Sequence, residues 1–269
     1  MNKKKRFNQI CKDIKSIKIQ GARNIALEGL KAYKLIPTQP SKNKLLSLRS
    51  TEPMLANILK KADEITEKQL ISRLKQNQEI INKKTLGLIK QNSVVFTHCH
   101  SSTVIQALIN AKKKGKKFEV YNTETRPLYQ GRLTANELRK AGIKITMFPD
   151  SAVSIALTKT QKTKKANVIF LGADAILKKG VINKVGSGMI SQIAKQNKIP
   201  VYILTDSLKY SSKKTKIEQR DFEEVWKRAP KNVKIKNPAF ELIKRKYIVG
   251  IISEFGVLSH KEFIKRAKN

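Results

Sequence analysis

The chain is poor in the residues that carry most redox, metal and cross-linking chemistry. Its 269 residues include two cysteines, Cys11 and Cys99, three histidines and one tryptophan. Neither thiol belongs to a CxxC pair or a metal-ligand spacing, which excludes a disulfide framework and a zinc ribbon. Acid is scarce too, with 20 Asp and Glu against 57 Lys and Arg, a formal charge of +37. Apolar residues make up 40% of the chain, in runs well short of the roughly 20 residues a membrane-spanning helix needs. The basic start, Lys3-Lys4-Lys5-Arg6, leads into a mixed pattern without the apolar stretch of a secretory signal. A cytoplasmic location and no membrane partner are therefore expected.

A charge this large raises nucleic acid first. The cations are mostly lysine and spread along the whole length, with clusters at Lys112-Lys113-Lys114, Lys116-Lys117 and Lys162-Thr163-Lys164-Lys165, where helices are expected to end. No zinc finger or aromatic RNA-binding signature accompanies them. The expectation is a solvated basic surface with no specific nucleic-acid partner.

What is present divides at about residue 92. Up to there, apolar residues recur at three- and four-residue steps, as in Ile10, Ile14 and Ile17, then Leu70, Leu74 and Ile81. The spacing predicts an all-helical domain over 1–92, broken at Pro37 and Pro40, with a helix start at Ser50-Thr51-Glu52-Pro53. Beyond it, short β-branched runs at 93–97, 118–121, 143–147, 167–171, 200–204 and 247–252 alternate with helical segments near 102–112, 132–141, 151–160 and 186–197. That alternation predicts an α/β fold, with a Rossmann-like, doubly wound parallel sheet over 93–269.

Chemistry concentrates at Val94-Val95-Phe96-Thr97-His98-Cys99-His100-Ser101-Ser102-Thr103, a buried strand running into a helix start. The carboxyl ends of parallel strands are where such sheets bind ligands and aim N–H groups at anions. A thiol between imidazoles and beside a helix start is expected to ionise more readily than its ordinary value of about 8.5; the alternative is a buried, inert cysteine. Arg126 and Arg132 follow strand 118–121 on a loop suited to phosphate contacts, although Arg126 has Glu124 as an ordinary partner. A loop over 172–188 places Asp174 after a small-residue turn and Asn183-Lys184 before Gly186-Ser187-Gly188, an incomplete dinucleotide fingerprint that argues against a cofactor site. His98 and His100 lack a third ligand for a metal. Asp150 reads as a helix N-cap and His260 as a surface residue.

Taken together, His98-Cys99-His100-Ser101-Ser102-Thr103, Glu124-Thr125-Arg126-Pro127 with Gln130-Gly131-Arg132, Gly172-Ala173-Asp174 and Asn183-Lys184-Val185-Gly186 resemble the motifs of one superfamily in order and spacing. It holds sugar-phosphate isomerases and the alpha, beta and delta regulatory subunits of the guanine-nucleotide exchange factor of translation initiation. The chain most resembles its ribose 1,5-bisphosphate isomerases, from about residue 17 to 256. Gln20-Gly21-Ala22-Arg23 and Arg49-Ser50-Thr51-Glu52-Pro53 look like substrate-binding segments, and Lys209 like a phosphate-binding lysine. Gln20 and Ser50 depart from the usual arginine and proline, and Leu242-Ile243-Lys244 stands in place of Thr-Pro-Pro.

The resemblance implies conversion of α-D-ribose 1,5-bisphosphate to D-ribulose 1,5-bisphosphate in AMP salvage. Cys99 would take the C2 proton and Asp174 would be the proton donor, kept protonated by apolar neighbours such as Ala173, Ala175 and Ile176. Gln20, Gly21, Ala22, Arg23, Arg49, Ser101, Ser102, Thr103, Arg126, Asn183, Lys184 and Lys209 would bind substrate. No cofactor and no metal is called for. A homo-oligomer, dimer or hexamer, is implied, with AMP as a candidate activator. A methylthioribose-1-phosphate isomerase and a regulatory subunit without turnover are the alternatives; the serine pair after His100 weighs against the first, and the retained Cys99 and Asp174 against the second.

Overall fold

Amphipathic spacing builds five helices before the first strand: α1 (Lys3–Lys15), α2 (Ala22–Leu35), α3 (Gln39–Leu48), α4 (Pro53–Lys60) and α5 (Glu67–Leu88). The computed structural model describes residues 2–49, 52–160, 162–213, 217 and 219–268, so Ser50 and Thr51 of the predicted helix start lie outside the described residues. Pro40 and Pro53 sit in first turns, where a missing N–H costs nothing. Thr66 and Gln69 open α5 with a reciprocal capping box. Ile14, Ile25, Leu30, Leu45 and Leu59 bury together in the helical core. The long helix α5 serves two cores: Leu70 and Leu74 join that cluster, while Ile81 packs with Val95, Leu108 and Ile252 against the sheet.

The sheet strands are β1 (Ser93–Thr97), β2 (Phe118–Thr123), β3 (Lys144–Phe148), β4 (Val168–Leu171), β7 (Val201–Leu204), β9 (Gly250–Ser253) and β10 (Gly256–Leu258), in the spatial order β10-β9-β7-β4-β1-β2-β3. The six strands β9-β7-β4-β1-β2-β3 all run parallel, in the connection order of doubly wound nucleotide-binding sheets. β10 turns back antiparallel at the edge. Helices α6 (Ser102–Lys113), α7 (Gln130–Lys140), α8 (Val153–Leu157), α9 (Ser187–Gln196) and α10 (His260–Lys268) complete the fold. All of β1 is buried, as expected of a parallel strand covered on both faces. The order of strand connection reverses between β1 and β4, which opens a crevice at their carboxyl ends.

Four local expectations are corrected. The segment 172–188 is not a loop: it holds a hairpin of β5 (Ala175–Leu177) and β6 (Gly180–Lys184), which pairs with β8 (Phe240–Lys244) in a second, antiparallel sheet. The divergent Leu242-Ile243-Lys244 lies in that strand, with Leu242 opposite Ile182. The helix expected over 151–160 is a 3₁₀ turn, Asp150–Ala152, followed by the short α8, and Asp150 caps neither. Its carboxylate instead accepts from the backbone N–H groups of Thr125 at 2.9 Å and Arg126 at 2.6 Å. His260 is buried rather than exposed, with Nε2 2.9 Å from the carbonyl oxygen of Leu177.

Candidate active site

β1 and β4 deliver the Cys99 thiol and the Asp174 carboxyl to the same crevice. Cys99 and Asp174, each just past its strand, line one cleft together with Gly21, Ala22, Arg23, Ser101, Ser102, Thr103, Asn183, Lys184 and Lys209. Both groups also line an adjoining chamber, which adds Gln20 and Arg49. One candidate is not brought there. Arg126 is exposed, its guanidinium over the Tyr129 ring at 5.1 Å and bonded to the Tyr129 hydroxyl, while Glu124 pairs with Arg132 at 3.4 Å instead.

Cys99 is locked in place by its backbone. It sits in the left-handed region at φ +65°, a conformation a non-glycine residue keeps only when its surroundings impose it. Its N–H donates to Thr125 Oγ1 at 3.0 Å, and its carbonyl accepts from Thr134 Oγ1 at 2.7 Å. Thr125, also at positive φ, is held by Asp150. His98 closes the other side: Nε2 is 2.8 Å from the Val185 carbonyl and Nδ1 2.5 Å from Thr123 Oγ1. A carbonyl only accepts, so Nε2 carries the proton and Nδ1 accepts from the threonine hydroxyl. Burial pushes this imidazole below its ordinary value, which fits a neutral strut.

The thiol contradicts the expectation of easy ionisation. Loss of solvent around Cys99 pushes it up to about 11, Asp174 and Asp150 add to the rise, and Lys184 and the His100 backbone N–H oppose it. The α6 start cannot offset that desolvation. At the mouth, His100 lies 3.6 Å from Glu137.

Cations enter from both halves of the chain. Arg23 of α2 donates to the Leu74 carbonyl at 2.6 Å, and burial pulls it below its ordinary value against the pull of Asp206. Lys209 donates to the Ala173 carbonyl at 2.6 Å, directly beside Asp174. Lys184 Nζ stands 5.3 Å from the Phe240 ring centroid. Gly172 permits the close approach of two elements, since a Cβ there would lie 2.6 Å from Ser101 Oγ.

The helix start at Gly186-Ser187-Gly188 is already filled. Glu241 Oε1 accepts from the N–H groups of Gly186 at 2.5 Å and Gly188 at 2.9 Å, so a side-chain carboxylate occupies the anion position. Sequence reading missed Glu241 in that role, and also Asp206. Asp206 follows β7, lines the cleft, and accepts from Asn77 Nδ2 at 2.5 Å and the Leu208 N–H at 2.9 Å. Its signal was available, because it stands after a strand end just as Cys99 and Asp174 do.

Comparison with known proteins gives this geometry a family context. The model of the Initiation factor 2 subunit family matches residues 41–260. Ribose 1,5-bisphosphate isomerase of Archaeoglobus fulgidus is 38% identical over 175 residues, covering 61% of this chain and 53% of its own. Methylthioribose-1-phosphate isomerase of Fervidobacterium nodosum is 38% identical over 194 residues, covering 64% and 54%. The crystal structure of Pyrococcus horikoshii OT3 translation initiation factor eIF-2B superposes with a TM-score of 0.82 at 25% identity, covering 96% of this chain and 98% of that one. The chain spans about half the length of the curated relatives it matches.

Proposed function

This chain belongs to the Initiation factor 2 subunit family, and on that footing we propose that it is an aldose–ketose isomerase turning α-D-ribose 1,5-bisphosphate into D-ribulose 1,5-bisphosphate. The observation that carries the reading is a thiol and a carboxyl from neighbouring strand ends lining one cleft that cations enter from two sides.

The reaction moves one proton from C2 to C1 and one from the C2 hydroxyl to the ring oxygen. Asp174 gives its proton to the ring oxygen as the C1–O bond breaks, while Cys99 takes the C2 proton and the electron pair forms C1=C2. Protonation at C1, with loss of the C2 hydroxyl proton, completes the ketose and restores both groups. Each negative charge opposes the other across the cleft, so the pair works best holding one proton between them. Thiolate with carboxylic acid is the arrangement the roles require, and Lys184 is the cation placed to favour the thiolate. Arg23 with Lys209, and Arg49 with Lys184, give two cationic ends for two phosphates. The Ser101-Ser102-Thr103 helix start adds N–H donors.

The reading places the enzyme in AMP salvage, as a homo-oligomer, with AMP as an activator to be assayed. The direct test incubates the protein with ribose 1,5-bisphosphate, with and without AMP, and follows ketose formation by NMR. Cys99→Ser and Asp174→Asn should each abolish turnover while leaving the fold intact. Turnover unaffected by both substitutions overturns the assignment. Faster reaction of methylthioribose 1-phosphate would move the substrate to that of the Fervidobacterium nodosum relative. No reaction with either sugar would favour a regulatory subunit, in line with the eIF-2B likeness.

A further inference from the structure

The turns along the edge of the sheet opposite the cleft carry charge of one sign only. The segments that feed the amino ends of the six parallel strands are 88–92, 112–117, 139–144, 158–167, 195–200 and 245–249. Each holds Lys or Arg, and none holds Asp or Glu. The same chain places acids freely at the carboxyl edge, where Asp150, Asp174 and Asp206 lie, so the asymmetry is spatial and not merely compositional. Helix-end electrostatics accounts for part of it, because cations favour helix C-termini such as those of α6 and α7. It does not account for Lys117, Lys162, Lys165 and Lys198, which stand in turns beyond the helix ends and are exposed. The nearest strand acid, Glu119, is already engaged by Lys144 at 3.5 Å and Lys164 at 2.7 Å.

From this arrangement we propose that the amino edge of the sheet is a docking surface for the phosphate backbone of a nucleic-acid duplex, bound without base readout. Six strands spaced at about 4.8 Å carry the basic turns across about 24 Å. A duplex presents one phosphate charge per roughly 1.7 Å of axis, so the edge faces about seven base pairs. Among the described residues these turns offer no exposed aromatic ring on which an unpaired base would stack. An anionic membrane fits less well, because Val249 is the one exposed large apolar side chain in these turns, too little for insertion among lipid. The surface lies across the sheet from Cys99 and Asp174, so it does not depend on the isomerase reading.

The test is fluorescence anisotropy of a labelled, mixed-sequence RNA duplex titrated with the full chain from about 50 to 200 mM salt. The expected result is sequence-independent binding, with affinity falling at a log–log slope of about −4 or steeper. Changing Lys113, Lys117, Lys140 and Lys198 together to Gln should weaken binding at least about tenfold and flatten the slope by roughly 3. The same change at Lys4, Lys5, Lys12 and Lys15 of α1 should shift affinity less than about twofold at equal net charge, with circular dichroism confirming both folds. Equal weakening by the two sets, a shallow slope, or tighter binding to phosphatidylserine vesicles than to the duplex overturns the proposal.

Discussion

His98 Nε2 stands 2.8 Å from the carbonyl oxygen of Val185, so the residue before Cys99 is tied to the residue after Lys184. The Cys99 thiol and the neighbouring Lys184 are thereby held in register by a neutral imidazole. Replacing His98 with Ala leaves the Val185 carbonyl and the Thr123 hydroxyl unpaired in a buried site, at a cost of about 1–3 kcal/mol. Urea unfolding should show that loss, and Asn at this position should recover part of it.

Alkylation reports the state of Cys99 directly. With the thiol pushed up to about 11, its rate of reaction with iodoacetamide should climb through the whole range from neutral pH and level off only above that value. Lys184→Met removes a charge that lowers it, so the midpoint should move higher still. Peptide mass spectrometry separates Cys99 from the buried Cys11. A midpoint near the ordinary thiol value of roughly 8.5 would contradict the burial argument.

The carboxylate of Glu241 holds the start of α9 through two backbone N–H groups. Glu241→Ala should lower stability by about 1.5–3 kcal/mol, as expected for loss of bonds to a charged acceptor. Gly188→Ala should cost a comparable amount by a different route, since its Cβ would stand 2.6 Å from Glu241 Oε2. Thermal unfolding of the two variants checks both values.

Glu254 should impose a pH slope on stability. Burial raises its carboxyl above the ordinary 4.5, Asp206 raises it further, and the Ser207 N–H opposes both. A folded-state value above the unfolded one means that folding binds the proton more tightly. Stability is therefore fully present below 4.5 and is lost as pH climbs past it. Urea unfolding between pH 4 and 7 should show that decline, and Glu254→Gln should remove it.

The strands that carry the site were legible because β-branched runs such as Val94-Val95-Phe96 and Val201-Tyr202-Ile203 announce buried parallel strands by composition alone. Cys99 and Asp174 were legible by their place at the ends of such runs. The hairpin of β5 and β6 was hidden, because β5 is three residues long and the pair is completed by β8, about sixty residues later in the chain. The character of the thiol was hidden for a related reason: its enclosure draws on α2, the helix start of α6 and β6, none of which a local window joins. Arg126 misled because a loop arginine looks alike whether it faces a phosphate or a neighbouring tyrosine.

Val95 pairs with Val168 and Phe96 with Ile169, so the strands bearing the thiol and the carboxyl are adjacent rungs of one hydrogen-bonded ladder. The separation of the two strand ends is thus gauged by peptide geometry rather than by the side chains of the surrounding helices. Changes in the walls and cations of the cleft would therefore reshape it without moving the strand ends from which Cys99 and Asp174 project.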